Sequence, residues 1–366
     1  MTSASGLHIL SDSRAPGGST DYTTLVLLHG NTIHGGTFVR LLPHAATHNA
    51  RIVLVNRRDY PGATPYAPEE RILLEGWSLR KYDVQTVKDN MALFMRHRAE
   101  ELLTLLEELV RDGSVTRVSS SRTSGGIVVA GWSLGIVWMS ALLAHISSSP
   151  RAAQLKPYLR RVVMYDPGSF MFNYPRPDDP YEPFLEPEAQ ESSADLLDWV
   201  SGYFAHGATV DALERREPMR YPLSSLRNVT LEDLEKMICA TPGQIGGTDQ
   251  MLVVGGHNSG FFGELWKRAL ELSPTENLNE SANANDGWHG LGLHIVWCDR
   301  SVWECVHGVW GVQAEVAEAR EKGRAVRDVT FTRIEGGNHF AHWDYPKETL
   351  AAMLRNDERL AVGVLG

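Results

Sequence analysis

Cysteine is scarce: the 366 residues hold three, Cys239, Cys298 and Cys305. None forms a Cys-x-x-Cys pair, so neither a disulfide framework nor a thioredoxin-like redox motif is available. Positive charge is also short, with Lys+Arg 35 against Asp+Glu 45 and a net charge of −10. A nucleic-acid partner needs a basic face, and none is expected here. No apolar run approaches the ~18 residues that would span a bilayer. The opening MTSASGLHILSDSR lacks a basic stretch followed by an apolar one. A cytoplasmic protein with no membrane partner is the expectation. His44 and His48 are spaced i, i+4 without the Glu of a His-Glu-x-x-His motif, so no metal and no cofactor are expected.

What remains is an ordinary folded composition, 43% hydrophobic and 22% charged, with no internal repeat. Its organisation is an alternation. Short Val/Ile/Leu-rich runs at Thr24–His29, Arg51–Asn56, Ile127–Gly131, Arg161–Tyr165, Leu293–Cys298 and Val329–Ile334 read as buried strands, with Leu7–Ser11 as an added edge strand. Helical stripes lie between them, one from Val87 to Leu109 and one from Leu134 to His145. Strands alternating with helices predict an α/β fold: a mostly parallel sheet flanked by helices. The exception is the interval between Arg161–Tyr165 and Leu293–Cys298, with a Pro-rich stretch, helix candidates near 188–205, 230–239 and 259–272, and a polar run at 273–286. It is expected to be a mainly helical cap, residues 170–289, inserted into a core made of 1–169 and 290–366.

Four loops carry the chemistry, each just after a predicted strand. Gly131-Trp132-Ser133-Leu134-Gly135 follows IVVA and opens a helix. Average usage predicts roughly 0.1–0.2 chance Gly-x-Ser-x-Gly matches in such a chain, so it is the strand–turn–helix setting that makes this a nucleophile elbow, with Ser133 at the apex. His29-Gly30-Asn31 ends the early strand; the N–H groups of Asn31 and Leu134 are the candidate oxyanion donors, whereas the His29 side chain reads as structural. Gly336-Gly337-Asn338-His339 follows the last strand and offers His339 as general base, ahead of His342. Asp299 ends the penultimate strand and is the preferred orienting acid; Asp166, ending RVVMY, is the rival. Aromatics at Trp132, Trp199 and Tyr203 are candidates for the substrate wall.

Ser133, Asp299 and His339 thus fall in the order Ser…Asp…His. With HGN, RRDYPG, GWSLG, Asp299 and GGNH spread along it, the chain resembles the α/β-hydrolase superfamily over nearly its whole length. In that superfamily's count the cap lies between predicted strands 6 and 7. The resemblance implies Ser133 as nucleophile, His339 as base and acid, Asp299 as orienting acid, and Asn31 with Leu134 as oxyanion amides. Some relatives carry the acid one strand earlier, which here is Asp166. The HGN sequence is similar to that of haloalkane dehalogenases, but those place an aspartate where Ser133 stands. The implied activity is a serine hydrolase cleaving a small to medium apolar ester, lactone or related carbonyl substrate, with carbon–carbon cleavage open. The alternatives are a lyase or transferase on the same fold, or a low-turnover ligand-binding protein. A small molecule is the expected partner.

Overall fold

All seven apolar runs form strands of one sheet: β1 His8–Asp12, β2 Thr23–Leu28, β3 Ala50–Asn56, β4 Ile127–Trp132, β5 Leu159–Tyr165, β6 Gly292–Cys298 and β7 Val329–Ile334. The coordinates are a computed structural model that describes residues 3–183, 193–272 and 288–355. The strand order is β1-β3-β2-β4-β5-β6-β7. Every pairing is parallel except β1 against β3. Strands β2 to β5 are buried along their whole length, which is why they read as continuous apolar runs rather than alternating ones.

The helices are α1 Pro68–Ser78, α2 Val84–Arg111, α3 Gly135–His145, α4 Ala152–Leu155, α5 Ser193–Val200, α6 Leu231–Glu235, α7 Thr248–Asn258, α8 Phe261–Leu270, α9 Trp303–Glu321, α10 Ala341–Asp344 and α11 Pro346–Leu354. Helix α2 starts where the Asp83 carboxylate caps the Thr86 N–H at 3.0 Å, and it buries Met91, Phe94, Leu102, Leu105 and Leu106. Truncating one such core side chain to alanine costs about 2–5 kcal/mol. Helices α2, α3 and α8 pack side by side, while α11 packs with the 3-10 segment Gly35–His44 as a second group.

The inserted interval is divided in its behaviour. Helix α8 lies against α3, and α7 lies against α1 and α2, so residues 248–270 join the helical layer beside the sheet. The insertion carries the chain from β5 to the parallel β6, and α8 packs beside α3 on the way. Helix α7 had no expectation in the sequence, since Gly255 and Gly256 weaken its pattern. The polar run 273–286 lies outside the described residues.

The chain runs from β2 outward to β3 and then returns to β4 beside β2. The switch point therefore lies between β2 and β4, and the loop after β2 meets the turn after β4 there.

Candidate active site

Ser133 sits between β4 and α3 with φ 51°, in the left-handed region that a non-glycine residue enters only at a cost of about 1–3 kcal/mol. The flanking glycines make the turn possible. A Cβ on Gly131 would lie 2.4 Å from the Gly135 carbonyl oxygen, and one on Gly135 would lie 2.7 Å from that of His29. Gly30 allows the β2 loop the same closeness, since a Cβ there would be 2.8 Å from Cβ of Ser133. Leu134 opens α3, so its N–H has no partner within the helix. Neither it nor the Asn31 N–H finds a backbone acceptor among the described residues. Both residues line one cavity with Ser133 and His339.

His339, buried at the end of the loop after β7, hydrogen-bonds through Nδ1 to Asp166 Oδ2 at 2.6 Å. A carboxylate only accepts, so Nδ1 carries the proton and Nε2 is left as the basic nitrogen. Asp166 is fully buried just after β5, also with positive φ (53°). Its Oδ1 accepts from the Cys298 N–H at 2.9 Å, and its Oδ2 accepts a second bond from the Ser301 hydroxyl at 2.5 Å.

The preference for Asp299 is therefore corrected. Its Oδ1 accepts from the Gly336 N–H at 2.7 Å and Oδ2 faces Arg333 at 3.8 Å, so it shapes the turn that carries His339 instead of meeting the imidazole. Strands β5 and β6 are neighbours, so both aspartates end close to the loop; only Asp166 reaches the ring. His342, the other histidine considered, is buried in α10 between Thr37 Oγ1 (2.8 Å) and Tyr165 Oη (3.3 Å), and burial holds its pKa well below the ordinary value. His29 is likewise structural. Its Nε2 accepts from the Arg57 N–H at 3.0 Å, its Nδ1 meets the Gly30 carbonyl at 2.9 Å, and burial with the nearby Arg57 charge keeps it neutral.

The cavity has a volume of about 30 Å³, and its wall includes Phe170, Met171, Val200, Val253 and Val302. The three aromatics expected there lie elsewhere. Trp132 is buried under the elbow, donating Nε1–H to the His339 carbonyl at 3.0 Å. Trp199 donates to the Arg215 carbonyl at 2.9 Å, and Tyr203 bonds Asp344 Oδ2 at 2.5 Å. Aromatics at helical spacing pack the insertion, while Val200, one residue from Trp199, reaches the cavity. No hydrogen bond joins Ser133 to His339 among the described residues, a common state before substrate is bound.

Sequence reasoning also missed Ser301 and Cys305. The thiol of Cys305 donates to the Asp166 carbonyl at 3.3 Å and lies 3.6 Å from Nδ1 of His339. Their only signal was closeness to the Asp299 turn. Ligand atoms of Asp166, Cys305 and His339 converge within 4.8 Å. Burial, and then the Asp166 charge, push the Cys305 thiol well above its ordinary pKa, so it stays protonated beside the imidazole. Among the described residues no helix is long and apolar enough to cross a membrane.

A sequence model described as the alpha/beta hydrolase family matches residues 25–352. The chain belongs to the alpha/beta hydrolase family. No curated protein matches it. Among solved structures it is similar to a bromoperoxidase from Bacillus anthracis (14% identity, 94% of each chain covered, TM-score 0.49). It is also similar to an epoxide hydrolase from Vigna radiata (12% identity, 95% of this chain and 92% of that one, TM-score 0.45). A thermophilic esterase from Thermogutta terrifontis gives 13% identity, 95% and 91% coverage and a TM-score of 0.42. In this α/β hydrolase the strand–elbow–helix unit is β4, Ser133 and α3, and the carboxylate that meets the histidine follows β5.

Proposed function

We propose that this α/β hydrolase is a serine hydrolase that cleaves a short-chain carboxylic ester or lactone through an acyl-enzyme. The observation that supports it is the convergence on one cavity of a strained Ser133, a His339 held by Asp166 and two N–H groups without backbone acceptors. As substrate enters, rotation of the Ser133 side chain brings Oγ to Nε2 of His339, which takes the proton as Oγ attacks the carbonyl. The Asp166 carboxylate fixes the tautomer and stabilises the imidazolium that forms. The N–H groups of Asn31 and Leu134 meet the oxyanion, and each such donor is worth about 10²–10³-fold in rate. His339 returns the proton to the leaving oxygen, and water then resolves the acyl-enzyme by the same route.

The wall of Val200, Val253 and Val302 favours an apolar acyl group, and the small volume of the cavity favours a short one. Because residues 248–270 pack against α1, α2 and α3, the role of lid falls to the rest of the insertion, residues 170–183 and 193–247 among those described.

The test is a p-nitrophenyl ester series from acetate to decanoate, together with γ- and δ-lactones. Turnover highest at the short end and abolished in Ser133→Ala supports the reading. Equal turnover in Ser133→Ala contradicts it, and absence of turnover on every ester and lactone favours a ligand-binding protein.

A further inference from the structure

Asn31 supplies its N–H from a loop with no side-chain hold on that amide, so something else must aim it. In a trans peptide the carbonyl and the N–H point in opposite directions, so fixing one fixes the other. The carbonyl in the same peptide unit as the Asn31 N–H is that of Gly30. It accepts from Arg57 Nη2 at 2.7 Å and faces Nδ1 of His29 at 2.9 Å. Since His29 Nε2 is the acceptor for the Arg57 N–H at 3.0 Å, the Nδ1 side holds the proton, and both groups donate to one oxygen.

Arg57 is itself held rigidly. Its guanidinium makes a two-pronged pair with Asp249 of α7, Nη1–Oδ1 2.8 Å and Nη2–Oδ2 2.6 Å, with both side chains essentially inaccessible to solvent. Its Cζ lies 4.2 Å from the ring centroid of Trp138, on the helix that follows the elbow. Tyr60 completes the clamp, giving its proton to Asp249 at 2.6 Å and accepting from the Thr32 N–H at 2.8 Å. The peptide units on both sides of Asn31 are thereby tied to one buried ion pair. Beyond them, the Cys239 N–H donates to the Thr32 carbonyl at 2.7 Å and the His34 N–H to that of Met237 at 2.7 Å.

We infer that Arg57, clamped by Asp249 and Tyr60, is a positioning residue for the oxyanion site: it aims the Asn31 N–H through the Gly30 carbonyl. The cation also polarises that peptide, which strengthens the N–H as a donor in the dry interior. A pair this deeply buried is a poor route to stability alone, because desolvation offsets much of its attraction. Its gain lies in directing one peptide. The inference rests on the proposed serine-hydrolase reading.

The experiment compares wild type, Arg57→Lys, Tyr60→Phe and Ser133→Ala on p-nitrophenyl acetate. It also measures inhibition by 1,1,1-trifluoroacetone, which adds to the serine as a tetrahedral oxyanion. Lysine keeps the charge but cannot hold Asp249 with two prongs and reach Gly30 as well. The expected result for Arg57→Lys is a kcat reduced about 10- to 100-fold, a fraction of the 10²–10³ a whole oxyanion donor is worth. KM should stay within about threefold, and Ki for the ketone should rise by the same factor as kcat falls. Tyr60→Phe, which leaves the ion pair in place, should show the same pattern at about 3- to 10-fold, and it carries the test if Arg57→Lys does not fold. Unchanged kcat and Ki in a folded variant, or a change confined to KM, overturns the inference while an inactive Ser133→Ala keeps the serine-hydrolase reading. An active Ser133→Ala overturns both.

Discussion

Replacing Asp166 with Asn should nearly abolish turnover, and the hydrogen bonds explain why an isosteric change is so costly. The Cys298 N–H points at Oδ1 of Asp166 and permits only an acceptor there, so the new carboxamide must keep its oxygen on that side. Its NH₂ then faces Ser301 and Nδ1 of His339, where the carboxylate had accepted both. To receive that NH₂, Nδ1 must be deprotonated, which moves the ring proton to Nε2, the nitrogen that has to act as base. This wrong-tautomer penalty is about 10⁴-fold in kcat, or about 5.4 kcal/mol of activation free energy. The backbone is spared, because Asn tolerates the positive φ at 166 as well as Asp does. Asp299→Asn is the paired control. It keeps a carbonyl acceptor for the Gly336 N–H and loses only a part-exposed contact with Arg333, worth up to about 1 kcal/mol of stability. Its kcat on p-nitrophenyl acetate should stay within about threefold of wild type. An active Asp166→Asn beside an inactive Asp299→Asn would refute the assignment of the acid.

The cavity wall predicts specificity: Val200→Ala, which opens it by two methyl groups, should shift the best p-nitrophenyl ester to a longer acyl chain, and an unchanged chain-length profile would remove Val200 from the acyl site. Cys305→Ala should retain turnover within about fivefold, since its thiol stays protonated and makes one weak bond to Asp166; loss of acylation would make the thiol a participant. Burial lowers the pKa of His34 from 6.5 to about 4. The unfolded chain therefore takes up a proton that the folded one refuses, and stability should fall as pH drops from about 6.5 towards 4. His34→Asn keeps an acceptor for the Gly36 N–H without titrating, so its urea midpoint should fall less steeply over that window; an identical slope would contradict the cause given.

What was legible in the sequence was local. GWSLG announces itself because the elbow imposes small residues at Gly131 and Gly135, and His339 stands out on a loop directly after a strand. The strands of a mostly parallel sheet were legible as buried runs, whose character is set by being covered on both faces, while their order was not. The acid was not legible. Asp166 and Asp299 both end inner strands, and the decision lies in how the Gly336 turn, which Asp299 itself holds, swings His339 towards β5. The lining of the cavity was hidden for a related reason. Trp199 and Tyr203 advertise their size, yet side chains of that size found packing and hydrogen-bond partners within the insertion and against α10, leaving small Val200 to face the serine. The Arg57–Asp249 clamp joins residues 192 apart in the chain, and no local pattern encodes such a pair.

The most direct measurement is mass spectrometry of the protein quenched in acid during turnover of p-nitrophenyl acetate, followed by peptide mapping. The expected result is one acetyl group on the peptide spanning Ser133, building up in Asp299→Asn as in wild type and missing in Ser133→Ala. Acetylation on another residue, or full turnover in Ser133→Ala, would contradict a serine acyl-enzyme at this elbow.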